Sequence, residues 1–172
     1  MIELLRNRRS IRTYLDRPIE PEKIERLKEA VLRAPSSRNF DPWEFIFVDD
    51  RELLTKLSAC KPHGAAFLKG AALGIVVCGD SAKSDVWVED CSIASILAQM
   101  AAQSMGLGSC WIQIRQRMHD ENISASQYIQ SLLGVPDHIQ VESIIAVGYP
   151  AEQRTPLPAE DLKVSKIHVD QF

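Results

Sequence analysis

The segment Val86–Trp111, VWVEDCSIASILAQMAAQSMGLGSCW, decides the fold. No charged residue occurs between Cys91 and Ile114, so this segment is predicted to form the buried centre of the protein. Its small residues alternate at steps of three and four and share one helical face, which consists of Cys91, Ala94, Ala98 and Ala101. Another helix can approach such a face closely. The segment is therefore either the core helix of the domain or half of a subunit interface.

The end of this segment argues against a membrane span. Gln99 and Gln103 interrupt the apolar run, and Gly106 ends the helix early for a bilayer core of about 30 Å. The residues that follow, Ser109–Ile114, are predicted to form a buried strand. We expect no membrane partner.

Composition indicates an ordinary globular protein. The chain has 172 residues, of which 45% are hydrophobic and 25% charged, so we expect one domain over 1–172, with 150–172 as a C-terminal tail. The net charge of −3 argues against a nucleic-acid partner. Scattered cysteines and the lack of a secretory signal favour reduced thiols in a cytoplasmic protein; the cysteines are Cys60, Cys78, Cys91 and Cys110.

Periodicity predicts the remaining elements. Helices are expected at 21–34, 51–60 and 124–133, and strands at 44–48, 73–78 and 141–149. The tail is too polar and too rich in proline for a core element. It needs a surface to lie on, either its own domain or a neighbouring subunit.

An arginine-rich segment near the N-terminus is the first candidate site. Arg8, Ser10 and Arg12 alternate, so in an extended backbone their side chains can converge on one point, a suitable arrangement for a phosphate. The alternatives are a solvated turn or, against the acidic total charge, a contact for nucleic acid.

The stretch Ala34–Trp43, APSSRNFDPW, is the second candidate. Its prolines, serines and asparagine predict an ordered polar loop, and such loops often carry binding sites. The alternative is a simple connection from helix to strand with Trp43 as its core anchor.

Motifs of reactive chemistry are missing from the sequence. The four histidines are isolated, so we expect no metal site, and no catalytic acid, base or nucleophile can be identified among the side chains. Gly106-Leu107-Gly108 follows a helix and precedes a strand, which is the reverse of the order in a dinucleotide-binding fingerprint. A chain that offers anchoring groups but no reactive ones is expected to use a bound cofactor, here a phosphorylated one.

Taken together, the motifs resemble those of the FMN-dependent nitroreductase family, as a short member. The resemblance rests on four motifs in the family's order, namely Arg8-Arg9-Ser10-Ile11-Arg12, Ala34-Pro35-Ser36-Ser37-Arg38-Asn39 with Pro42-Trp43, Gly106-Leu107-Gly108-Ser109-Cys110-Trp111-Ile112, and Val147-Gly148-Tyr149-Pro150. The chain departs from the pattern at Phe40-Asp41 and at Gln113-Ile114-Arg115, beside the expected flavin edge.

The resemblance implies an α+β fold, with a mostly antiparallel or mixed sheet flanked by helices, in an intertwined homodimer that packs through the central helix. It implies FMN sites shared between subunits. Arg8, Ser10 and Arg12 would hold the phosphate and ribityl end, Arg9 would act mainly through its backbone, and Arg154 would be a further phosphate ligand. Pro35, Ser36, Ser37 and Asn39 would come from the other subunit, and Trp111, Ile112 and Gln113 would line the flavin, with a backbone N–H near N5.

The implied activity is an NAD(P)H oxidoreductase that works by a ping-pong cycle. Hydride would pass from NAD(P)H through FMN to a small oxidised acceptor such as a nitroaromatic or a quinone. The alternative is a dimer that stores or senses flavin without catalysis.

Overall fold

The computed structural model describes residues 1–172 and contains five α-helices and four strands. The helices are α1 (Ile2–Asn7), α2 (Pro21–Leu32), α3 (Arg51–Ser58), α4 (Trp87–Ser104) and α5 (Ala125–Leu133). The strands are β1 (Trp43–Val48), β2 (Leu73–Asp80), β3 (Gly108–Gln113) and β4 (Ile139–Gly148). Short 3-10 turns occupy Ser37–Asn39, Ala66–Gly70, Ala159–Asp161 and Val164–Lys166. The predicted elements are all present, with ends that differ by a few residues.

The four strands form one sheet in the order β1-β2-β4-β3, and every neighbouring pair is antiparallel. The expected α+β fold is confirmed, and the sheet has no parallel strand pair. One apolar cluster joins α3 and α5 to one face of the sheet, and a second joins α2 and α4 to the other. Strands β1 and β3 are the two edges, so their outer backbone groups are open to further partners.

Helix α4 is the core helix of this domain. The side chains of Cys91, Ala94 and Ala98 are fully buried. The apolar cluster that contains Cys91 and Ala98 also includes Leu27 and Val31 of α2. Of the two alternatives for this small-residue face, the structure shows the core helix, because α2 and the sheet of the same chain already occupy the face.

A different face of α4 remains open. Ile93 and Ile96 are 39% and 40% exposed, and they lie one turn apart. Leu97, which the sequence places with Ile93 on the second face, is half-buried, whereas Met100 is buried. An apolar strip on an otherwise buried helix is a typical protein contact surface.

The tail after Pro150 lies on the outside of the domain. Its apolar side chains are exposed, and they are Leu157, Leu162, Val164, Ile167, Val169 and Phe172. By contrast, all four cysteines are buried and free, as predicted. None of the helices combines the length and the apolar character that a membrane crossing requires.

Candidate functional site

Strand β3 holds the arginine-rich segment in place. The N–H of Ile11 donates a hydrogen bond of 3.0 Å to the carbonyl of Ser109, and Ser10 forms a parallel bridge with the same residue. Further along, the N–H of Leu15 donates to the carbonyl of Tyr149 at 2.8 Å. The segment therefore adds itself to the sheet at the start of β3 and the end of β4, where its backbone is fixed.

The fixed backbone brings the predicted phosphate ligands together. A polar pocket of about 350 Å³ is lined by Arg8, Arg9, Ser10, Arg12 and Arg154, with no apolar side chain among them. The ion pairs of the chain do not include Arg8, Arg9 or Arg12, so none of these three guanidinium groups has a carboxylate within ion-pair distance. Several guanidinium groups without a counter-ion around one hollow favour an anion, and phosphate suits their paired N–H groups.

Glu152 organises this pocket, although no motif in the sequence indicates this role. Its Oε1 accepts hydrogen bonds from the N–H groups of Arg12 at 2.6 Å and Thr13 at 3.1 Å. Its Oε2 accepts one from Nε of Arg154 at 2.8 Å. These bonds, the one from Arg12 foremost, lower the pKa of Glu152. The carboxylate links the beginning of the tail to the arginine segment. The one sequence feature that could have indicated this role is that Glu152 stands two residues before Arg154, a predicted phosphate ligand.

The outer edge of β3 continues from the pocket. The carbonyl of Ser109 bonds to Ile11 rather than to β4, and backbone groups alternate in direction along an antiparallel strand. The N–H groups of Trp111 and Gln113 therefore point to the open edge as well. The carbonyl of Gln113 on this edge accepts a hydrogen bond of 2.8 Å from Nζ of Lys61, a second residue that no sequence motif indicates.

The three predicted ring-lining residues play different structural parts. The indole Nε1–H of Trp111 donates to Oε1 of Gln113 at 3.0 Å, and Nε2–H of Gln113 donates to the carbonyl of Arg115 at 3.1 Å. Both side chains are half-buried. Ile112 points the opposite way and is 1% exposed in the core, so its side chain does not reach the site.

The polar loop after α2 is tightly held by its own side chains. Ser36 Oγ donates to Oδ1 of Asp41 at 2.6 Å, and the N–H of Ser37 donates to Oδ1 of the buried Asp90 at 2.9 Å. Non-glycine residues with positive φ cluster here, namely Arg38, Asn39 and Asp41 at 52°, 57° and 47°. Such strained backbone persists only where the surroundings enforce it, and it is typical of binding loops. Pro35 and Asn39 are exposed.

Within one chain, the polar loop after α2 lies far from the arginine pocket. Asp90, which holds the loop, lies in the first turn of α4. Gln103, in the last turn, lines a hollow together with Arg9 and Arg154. The distance along the helix from Asp90 to Gln103 is about 20 Å at 1.5 Å per residue. The two predicted groups of ligands are thus at opposite ends of α4.

Comparison with known proteins agrees with this fold. The model of the Nitroreductase family matches residues 5–149. An FMN-dependent nitroreductase from Clostridium difficile R20291 is 48% identical, and its structure superposes with a TM-score of 0.99 over 100% of both chains. A protein of Archaeoglobus fulgidus, provisionally named NADH dehydrogenase/NAD(P)H nitroreductase, is 38% identical over 99% of this chain and 98% of its own. An FMN reductase [NAD(P)H] of Bacillus subtilis is 27% identical over 99% of this chain and 75% of its own.

The antiparallel sheet with helices on both faces places the chain among the α+β proteins. Within that class, the chain belongs to the nitroreductase family.

Proposed function

We propose that the chain is an FMN-dependent NAD(P)H oxidoreductase that transfers hydride to a small oxidised acceptor such as a nitroaromatic or a quinone. The observation that carries this proposal is the pocket formed by four arginines and one serine at the start of the open edge of β3. Related proteins named FMN-dependent nitroreductase and FMN reductase [NAD(P)H] support the choice of cofactor and co-substrate.

The residues present fit the phosphate end of FMN. Arg8 and Arg12 offer guanidinium forks without a carboxylate partner, and Ser10 lies between them in sequence with a hydroxyl donor. Arg154 enters from the tail and is oriented by Glu152. We assign the phosphate and ribityl end to these four residues. Arg9 is the fifth residue that lines the pocket.

The edge of β3 fits the ring end. The outward N–H groups of Trp111 and Gln113 are donors at fixed positions, and the N–H of Gln113 is the one we assign to flavin N5. When bound, FMN supplies the hydride chemistry, accepting from NAD(P)H and giving to the acceptor in turn. The protein's own part is to orient the ring, through the Gln113 backbone and the Trp111 indole that Gln113 holds.

We propose that the complete site needs two chains. A two-fold axis that sets two copies of α4 antiparallel brings the Pro35–Asn39 loop of one subunit to the arginine pocket of the other. This arrangement buries the exposed Ile93 and Ile96, and it gives the loop a reason for its strained backbone.

The same arrangement accounts for the tail. We propose that 150–172 extends over the partner subunit, because its apolar side chains are exposed on its own domain. A groove of about 480 Å³ between α2 and β1 offers such a segment an apolar surface, with Trp43, Phe45 and Phe47 in its wall. Trp43 is thus more than a core anchor, because its side chain also lines this groove. Its indole N–H is buried and has no hydrogen-bond partner.

Steady-state turnover tests the activity. The protein is saturated with FMN, and oxidation of NADH and of NADPH is followed with and without a nitroaromatic or a quinone. The proposal predicts consumption of NAD(P)H that requires FMN and rises with acceptor concentration. Tight FMN binding without consumption of either nucleotide would instead indicate a flavin-binding dimer that does not catalyse.

A further inference from the structure

Lys61 is the basic side chain that contacts the assigned ring end of the site. It follows α3 in a segment that the sequence presents as an ordinary loop, and its side chain is half-buried. Nζ donates a hydrogen bond of 2.8 Å to the carbonyl of Gln113. This carbonyl belongs to the residue whose N–H we assign to flavin N5, and both groups lie on the open edge of β3.

The charge on Lys61 has no counter-ion in the chain. None of the ion pairs includes it, and the neighbouring groups that affect its titration are Arg117 and the thiols of Cys60 and Cys110. Burial, assisted by Arg117, lowers the pKa of Lys61, as expected for an ammonium group without a carboxylate. A half-buried ammonium group of this kind is stabilised further by a negative charge that forms beside it.

Hydride transfer supplies that negative charge. A hydride brings two electrons and one proton, so its addition to the neutral ring system of FMN adds one negative charge. A positive charge fixed beside the ring stabilises the product of this step more than the starting state.

We infer that Lys61 is a positioning residue of the flavin site, which fixes the Gln113 peptide by its hydrogen bond and favours reduced over oxidised FMN by its charge. The inference rests on the proposed function and adds a residue to it. Lys61 acts through Gln113 and through its electrostatic field, and it needs no direct contact with the substrate.

The midpoint potential of bound FMN tests this inference. Lys61→Met removes both the charge and the donor, Lys61→Gln keeps a donor without charge, and Lys61→Arg keeps both. Lys69→Met is the matched control, because Lys69 is an exposed lysine eight positions further on. Each protein is loaded with FMN and reduced stepwise under a redox dye, and the affinity for oxidised FMN is measured separately.

We expect Lys61→Met and Lys61→Gln to lose about tenfold in preference for reduced over oxidised FMN, which equals a potential about 30 mV more negative for a two-electron couple. Lys61→Arg and Lys69→Met should keep the wild-type potential. A wild-type potential in FMN-loaded Lys61→Met or Lys61→Gln would overturn the role of Lys61 while leaving the proposed function intact. Failure of the wild-type protein to bind FMN would overturn both.

Discussion

Gly108 lies directly opposite Gly148 across strands β3 and β4, and the N-terminal segment crosses both. A Cβ on Gly108 would lie 2.9 Å from Cβ of Ile11, and a Cβ on Gly148 would lie 2.9 Å from the Tyr14 ring. This pair of glycines lets the backbone between Ile11 and Tyr14 rest against the sheet. Arg12 owes its place at the pocket to that contact.

Gly108→Ala is therefore expected to displace the arginine segment. Because the clash involves Cβ of Ile11, which cannot rotate away, we expect a loss of about 1–3 kcal/mol in the free energy of unfolding and a weaker affinity for FMN. Urea denaturation and FMN titration measure the two effects. Gly70→Ala is the control, since a Cβ there meets nothing within 4 Å. Unchanged FMN affinity in Gly108→Ala would disprove the link between the glycine and the pocket.

Arg12→Ala is expected to weaken FMN binding by about 1.5–3 kcal/mol, the value of a hydrogen bond to a charged group, or roughly 10- to 100-fold in Kd. The affinity of the wild-type protein should also fall with ionic strength, because a phosphate contact is screened by salt. Fluorescence titration of FMN gives both results. Arg6→Ala serves as the control, because Arg6 pairs with Glu3 on α1 and does not line the pocket. Equal affinities in the two variants would remove Arg12 from the site.

The open face of α4 gives a test of the shared site. Ile93→Glu combined with Ile96→Glu places two charges at positions that are already about two-fifths exposed, so the subunit should fold normally. We expect a monomer in sedimentation and a loss of FMN binding, since the two ligand groups would no longer meet. Thr55→Glu, on α3 across the sheet, should leave the dimer intact. A double variant that sediments as a monomer but still binds FMN tightly would contradict the two-chain site.

A buried carboxyl group predicts a specific dependence of stability on pH. Glu142 is the extra residue of the bulge in β4, it is 2% exposed, and its Oε2 has no hydrogen-bond partner. Burial raises the pKa of Glu142 above its ordinary value of 4.5, while Ser143, Ser92 and Arg115 oppose the rise. A raised pKa means that the folded state binds the proton more tightly. The stability from this group is present below pH 4.5 and is lost as pH rises through the folded-state pKa.

Glu142→Gln is expected to remove that loss. Urea denaturation of the FMN-free protein at pH 5 and pH 8 should show a smaller decrease in stability for the variant than for the wild-type protein. Glu44→Gln, at an exposed carboxyl group on β1, is the control. The assignment fails if the wild-type protein and Glu142→Gln lose the same stability between the two pH values.

Much of this architecture was predictable because local patterns and packing agree. The uncharged run after Asp90 predicted a buried helix and strand, and alternation predicted that Arg8, Ser10 and Arg12 would converge. Both predictions depend on the fixed periods of helices and strands, which the sequence contains directly.

The remaining features depend on contacts between distant segments. The small face of α4 could meet a helix of its own chain or of a partner, and periodicity does not distinguish the two. Glu152 bonds to Arg12 from the other end of the chain, and Lys61 reaches Gln113 from a loop. Ile112 was expected at the flavin although alternation with Trp111 turns its side chain into the core, where it is 1% exposed. For α4, Glu152 and Lys61, a tertiary contact decided what the local pattern left open, whereas for Ile112 the alternation of the strand already gave the answer.

The most direct test of the proposed activity separates its two half-reactions. The protein is saturated with FMN under anaerobic conditions, and one equivalent of NADH or NADPH is added. The visible spectrum is then recorded before and after addition of a quinone. We expect the flavin absorbance to bleach with the nucleotide and to return with the quinone, with the protein unchanged after the cycle. A spectrum that neither nucleotide bleaches would contradict the account.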